Sequence, residues 1–160
     1  MTDLSVLPDW AALGPALVLV ATALALFVVD IIRPESRNSE LLAGVSVVGG
    51  LTALGTSVWY LLAGTGQIET GGAITLYSGN LIVDGMSLFF ATIVTSVVVM
   101  VVIASYDYLA DQPYQAEVYS LTMLAATGMV MVGMSNSFVT AFISIELSSL
   151  PSYALVASLK

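Results

Sequence analysis

The sequence has no cysteine and no histidine, and it carries only three basic residues among its 160. Disulfides, thiol chemistry and histidine-based metal or acid–base sites are therefore excluded within this chain. Eleven acidic residues give a net charge of −8, so the basic surface that nucleic acid requires is absent as well. We predict no nucleic-acid partner, no metal site and no cofactor bound by the chain itself.

Charged residues are scarce and apolar residues dominate. Hydrophobic residues make up 58% of the chain and charged residues 9%, with a mean hydropathy of +0.99. Soluble domains carry about 25% charged residues, so this composition is typical of an integral membrane protein. The N-terminus lacks the positively charged region of a signal peptide, and we expect the first apolar run to be retained as a membrane span.

Five apolar runs are long enough to cross a bilayer, which takes about 20 helical residues. They cover approximately residues 13–32, 41–63, 85–106, 116–134 and 137–159. We predict an all-α integral membrane protein with a single membrane domain over residues 1–160. Ser135 or Asn136 is placed to cap the fifth helix. Glycines in the second run are interpreted as close helix packing, namely Gly44, Gly49, Gly50 and Gly55.

A short β-hairpin is predicted between the second and third spans. Two β-rich runs, residues 73–77 and 81–83, flank the turn sequence Ser78-Gly79-Asn80. Because exposed sheet edges are not tolerated in lipid, the hairpin should cover the helix ends at one membrane surface. Asp84 follows the hairpin and is placed to cap the third helix.

The three basic residues predict the orientation in the membrane. Arg33 and Arg37 follow the first span and Lys160 follows the fifth, so all three lie on the same side. Basic loops favour the cytoplasm. We therefore expect a multi-pass protein of the cell membrane, with its N-terminus and an extracytoplasmic hairpin outside.

One carboxylate, Glu146, lies at the middle of the fifth span. A charged side chain at the bilayer centre costs about 2.5–3.5 kcal/mol on insertion scales, so such residues are functional by default. At 100° per residue, Ser149 and Tyr153 share its helical face. Pro151 has no N–H, so the carbonyl oxygen of Leu147 loses its helical donor one turn from Glu146. We predict that Glu146 belongs to a proton pathway and that these neighbours support it.

Two chemical states are open to Glu146. It can stay protonated because burial disfavours the charged form, or it can ionise beside a cation. All three basic residues lie at or beyond helix ends, so a cationic partner must come from outside this chain segment. The alternative to a relay is a protonated glutamate that bonds between helices. The hydroxyls of Ser149 and Tyr153 can equally serve helix packing.

Residues 145–157, IELSSLPSYALVA, resemble the fifth helix of the antiporter-like subunits of respiratory complex I. The likeness is strongest to subunit N, where a Glu-Leu-x-Ser-Leu-Pro-x-Tyr-Ala-Leu pattern recurs. Val83-Asp84-Gly85 and Glu117-Val118-Tyr119 are similar to the starts of that family's third and fourth helices, in the same order. The predicted hairpin fits the family as well.

The resemblance implies a proton-translocating subunit of a complex I-like enzyme that oxidises NADH or another donor and reduces quinone. In that enzyme this chain would be non-catalytic, its partners would be other membrane subunits and the lipid bilayer, and quinone would be used by the parent complex. The family's fifth-helix glutamate, which modulates a lysine on a later helix, corresponds to Glu146. Since the family has more helices, the chain resembles an N-terminal fragment. The alternatives are a cation/proton antiporter subunit of the same superfamily and a structural subunit that scaffolds partners.

Overall fold

The computed structural model describes residues 9–32, 39–66, 72–109 and 115–158. Its helices are α1 (Gly14–Ile32), α2 (Ser39–Leu62), α3 (Gly85–Leu109), α4 (Gln115–Gly133) and α5 (Phe138–Ser158). A short 3-10 helix, Asp9–Leu13, leads into α1, and two strands, β1 (Ile74–Leu76) and β2 (Leu81–Val83), lie between α2 and α3. All five helices are long and apolar enough to cross a membrane. The predicted fold of five membrane helices and one short hairpin is confirmed.

The first four helices form a bundle, and α5 lies at its edge. α1 and α3 each pack against both α2 and α4. Among the described helices, α5 packs extensively against α4 alone. Large apolar side chains that are almost completely buried fill the bundle, among them Leu19, Leu26, Leu88, Val102, Met123 and Val130.

Two glycines of α2 lie where neighbouring helices come very close. A Cβ on Gly50 would lie 2.9 Å from a valine methyl of α3, and Gly49 faces Thr22 of α1 at still shorter range. Small residues permit such approach in lipid. The packing interpretation therefore holds for this pair. It does not hold in this structure for Gly44 and Gly55, where a Cβ would meet open space.

The hairpin has a longer turn than the sequence predicts. β1 pairs antiparallel with β2, and Leu76 lies opposite Leu81, so four residues form the turn. Tyr77, predicted to end the first strand, belongs to the turn. Tyr77 and Ser78 have φ angles of 51° and 59°, a left-handed conformation that is uncommon outside glycine. The turn therefore holds backbone strain at two non-glycine residues.

Asp84 joins the hairpin to α3 and caps that helix, as predicted. Its Oδ1 accepts the N–H of Ser87 at 2.7 Å, and Ser87 Oγ accepts the N–H of Asp84 at 2.9 Å. This reciprocal pair is a capping box, with serine in the position usually held by glutamate. Gly66 passes close by, because a Cβ there would lie 2.6 Å from the carbonyl oxygen of Val83. The segment after α2 is therefore in close contact with the residues that lead into α3.

The cap of α5 differs from the predicted one. Ser137 is the cap: its Oγ accepts the N–H of Thr140 at 3.3 Å and lies 2.7 Å from Thr140 Oγ1. The choice of Ser135 or Asn136 is wrong because both residues are engaged elsewhere. Ser135 Oγ donates to the last turn of α4, and Asn136 bonds to the hairpin.

Exposed aromatic residues lie at both ends of the helices. Trp10 and Trp59 are 58% and 60% exposed at the hairpin end, and Tyr108 is 63% exposed near the opposite end of α3. Tryptophan and tyrosine are enriched at both membrane interfaces, so these residues indicate where the bilayer edges lie. Which end faces the cytoplasm stays a prediction, since the basic residues that underlie it are outside the described ranges. They are Arg33, Arg37 and Lys160.

Candidate functional site

Glu146 lies near the middle of α5, as the ninth of its 21 residues. At 1.5 Å per residue, it is about 12 Å along the axis from Phe138. Its side chain is partly buried. The other acidic residues in the described helices α1 to α4 lie within three residues of a helix end, namely Asp30, Glu40, Asp107 and Glu117. Glu146 is therefore the one acidic group of the five described helices at mid-membrane depth.

Glu146 points away from α4. The buried residues of α5, Ser144 and Pro151, lie on the opposite side of the helix at 100° per residue. The residues around Glu146 are largely uncovered and form what we call the outer face of α5. Besides Glu146 it comprises Val139 (69% exposed), Phe142 (64%), Leu150 (60%) and Tyr153 (70%). The first four helices do not enclose the carboxyl group.

The three predicted supporting residues are distributed around the helix. Tyr153 shares the outer face with Glu146, and Ser149 lies at its border with partial burial. Ser149 Oγ donates to the carbonyl oxygen of Glu146 at 3.4 Å, which is a weak bond within the same helix. Pro151 is buried and faces the α4 side. Of these three residues, only Tyr153 points in the same direction as Glu146.

The helix defect at Pro151 lies against α4. The helix continues through the proline, and the carbonyl group of Leu147, four residues earlier, lacks its helical donor. A Cβ added to Gly128 of α4 would lie 2.8 Å from the carbonyl carbon of Leu147 and closer still to the nitrogen of Ser148. Backbone therefore meets backbone beside the defect. Sequence reasoning did not single out Gly128, although a lone glycine inside an apolar span is a signal for such contact.

In the part of the chain that the structure describes, the polar groups buried in the bundle of α1 to α4 form mainly local hydrogen bonds. Most of its buried serine and threonine hydroxyls donate to carbonyl oxygens of their own helices at normal distances. The pairs include Thr22 to Val18 (2.8 Å), Ser46 to Leu42 (2.8 Å), Thr95 to Ala91 (2.8 Å) and Thr127 to Met123 (2.9 Å). These hydroxyls are satisfied within their own helices and form no chain of donors from one helix to the next.

Charge compensation for Glu146 does not come from the described residues. They include no lysine, arginine or histidine, so none of them can form an ion pair with the carboxylate. They also contain no group of three potential metal ligands. A positively charged partner for Glu146 would therefore have to come from another part of the protein.

Comparison with known proteins gives relatives that are named as subunit N. No protein-family model matches the chain, and no solved structure matches it significantly. The chain is 32% identical over 149 residues to F(420)H(2) dehydrogenase subunit N of Methanosarcina mazei, which covers 89% of the chain and 29% of that protein. It is 30% identical over 148 residues to NADH-quinone oxidoreductase subunit N proteins of Solibacter usitatus and Dehalococcoides mccartyi, covering 91% of the chain and 28% of each relative.

The resemblance to subunit N, predicted from short motifs, is confirmed along ~90% of the chain. The chain spans less than a third of the length of these relatives, as the shares of 28% and 29% show.

Proposed function

We propose that this chain is part of an antiporter-like subunit N in a complex I-like enzyme, where electron transfer to quinone drives proton translocation. The similarity to subunit N proteins and the five membrane helices support this assignment. One relative is named for F(420)H(2) and others for NADH, so the electron donor varies among enzymes that carry a similar subunit. In this proposal the donor and quinone sites belong to other subunits, and the chain crosses the cell membrane with its N-terminus outside.

The position of Glu146 on the outer face of α5 carries the proposal. A charged side chain that faced lipid at this depth would cost about 2.5–3.5 kcal/mol on insertion scales. The large apolar residues around it are exposed, so the face is suited to a further helix. We propose that other helices of the same subunit cover it. One of them brings a cationic side chain to the depth of Glu146, as the lysine of the family implies.

A cation that moves relative to Glu146 would couple this residue to proton movement. A positive charge that approaches Glu146 and then withdraws changes the electrostatic energy of its carboxyl group. At 4 Å and an effective dielectric constant of 20, one such charge pair interacts by about 4 kcal/mol. Moving a proton against 100 mV requires about 2.3 kcal/mol. The interaction energy between one lysine and Glu146 is therefore larger than the energy that this proton movement requires.

Substitution of Glu146 in the complete complex tests the proposal. Glu146→Gln keeps the shape and removes the titrating group, so it should assemble normally but translocate fewer protons per electron passed to quinone. Glu146→Asp should be milder, because it keeps the carboxyl group and shortens its reach. Glu40→Gln is the matched control, since Glu40 is an exposed acid at the start of α2. A Glu146→Gln complex that pumps like wild type refutes the relay and favours the structural scaffold.

A further inference from the structure

The hairpin is bonded to the turn between α4 and α5, which we define as residues 134–137. The N–H of Ile82 donates to the carbonyl oxygen of Met134 at 2.8 Å, and the N–H of Asn136 donates to that of Asn80 at 2.9 Å. Between these two bonds the segments pair antiparallel. The turn therefore extends the two-stranded sheet along its second strand.

Two side chains strengthen this connection, one from the turn and one from the start of α5. Asn136 Nδ2 donates to the carbonyl oxygen of Gly79 at 2.8 Å, and Thr140 Oγ1 donates to that of Asn80 at 2.9 Å. Ser137 Oγ lies 2.7 Å from Thr140 Oγ1, so its proton can satisfy the threonine oxygen in turn. The hairpin carbonyls thus accept bonds both from the turn and from the first turn of α5.

The strained residues of the hairpin come directly before these acceptors. Tyr77 and Ser78 hold positive φ angles, and Gly79 follows with a φ of 83°. Backbone strain of this kind persists only where the surrounding structure enforces it, and it is concentrated at functional sites. Here the strained turn presents the carbonyl groups of Gly79 and Asn80 to the beginning of α5.

We infer that the hairpin is a clamp that sets the depth and tilt of α5, with Asn136 and Thr140 as positioning residues for Glu146. α5 needs such a device because, among the described helices, only α4 packs extensively against it. Asn136 lies two residues before α5 begins, and Thr140 in its first turn is about 9 Å from Glu146 along the helix axis at 1.5 Å per residue. Because the two α5 residues belong to one hydrogen-bonded helix, a shift of Thr140 displaces Glu146 as well. The inference rests on the proposed role of Glu146.

The first test measures the position of α5 in the full-length subunit within its complex. Residues 1–160 contain no cysteine, so in a complex whose other accessible cysteines are replaced, spin labels attach only through the substitutions Ile145→Cys on α5 and Val97→Cys on α3. Asn136→Ala and Thr140→Val each remove one side-chain bond to the hairpin. Both should shift or broaden the distance distribution between the labels. Thr52→Val is the control, because the Thr52 hydroxyl bonds within α2.

The second test restores the clamp covalently. Leu81 and Ser135 are antiparallel partners, and such pairs lie about 4.5–5.5 Å apart between Cα atoms, within disulfide range. In a complex that carries Leu81→Cys and Ser135→Cys, Asn136→Ala should lower the ratio of protons to electrons when the pair is reduced. Oxidation should restore the ratio, a recovery that a general loss of stability would not show. The double cysteine variant with Asn136 intact is the reference.

Each outcome decides the inference. If the label distances are unchanged in both Asn136→Ala and Thr140→Val, the clamp is overturned, whatever ratio of protons to electrons is measured. Shifted distances with an unchanged proton ratio overturn the positioning role for Glu146. Glu146→Gln is measured alongside: if it pumps like wild type, the proposed function fails, while the distance measurement still judges the clamp. Shifted distances together with a ratio rescued by oxidation support the inference.

Discussion

Gly128→Ala should displace α5 from α4. The added Cβ would lie 2.8 Å from the carbonyl carbon of Leu147, about 0.6 Å inside the 3.4 Å at which ordinary contact begins. Its distance to the nitrogen of Ser148 is shorter still. Both atoms are backbone, so no side chain can rotate away and the helix itself has to move. Overpacking of this kind costs typically about 1–3 kcal/mol.

Two other glycines make matched controls for this cost. Gly55 is also helical, and a Cβ there meets open space, so Gly55→Ala should be neutral or stabilising by up to about 1 kcal/mol. At Gly133 the obstacle is the ring of Phe90, which can turn aside, so Gly133→Ala should fall between the two. The expected order of stability is Gly55→Ala above Gly133→Ala above Gly128→Ala.

The free energy of unfolding of the full-length subunit in mixed detergent micelles measures this order. α5 is little enclosed, with 11% of its span buried. It can therefore move outward while the first four helices keep their packing. Under the proposed role of Glu146, Gly128→Ala should also lower proton translocation. If Gly128→Ala is as stable as Gly55→Ala and pumps normally, the close backbone contact does not exist in the protein.

The remaining predictions concern the cap of α3 and the orientation in the membrane. Asp84→Ala should destabilise the start of α3 by about 0.5–2 kcal/mol, because it frees the N–H of Ser87, and faster amide exchange at that residue measures it. Unchanged exchange would contradict the capping pair. Ser36→Cys and Ser78→Cys should react with an impermeant thiol reagent from opposite sides of the membrane. Labelling of both from one side rejects the predicted orientation.

The five membrane helices were predictable because apolar length alone identifies a span. The hairpin was predictable for a similar reason, since β-rich runs around a glycine turn cannot continue a helix. The cap of α5 was not. Ser135, Asn136 and Ser137 are all acceptable cap residues by type. The choice among them depends on the hairpin, which lies more than fifty residues away in sequence and accepts a hydrogen bond from the Asn136 side chain.

The direction in which Glu146 points could not be predicted from the sequence either, whereas its depth in the membrane could. Depth follows from counting residues along a span, whereas direction requires knowing which side of α5 meets α4. Gly128 permits the close approach of the two backbones on that side, where Pro151 is also buried, and the carboxyl group is left on the uncovered side. A carboxyl group enclosed by the first four helices would be a local packing element. On the uncovered side it can respond to a charge in a neighbouring helix, as the proposed coupling to electron transfer requires.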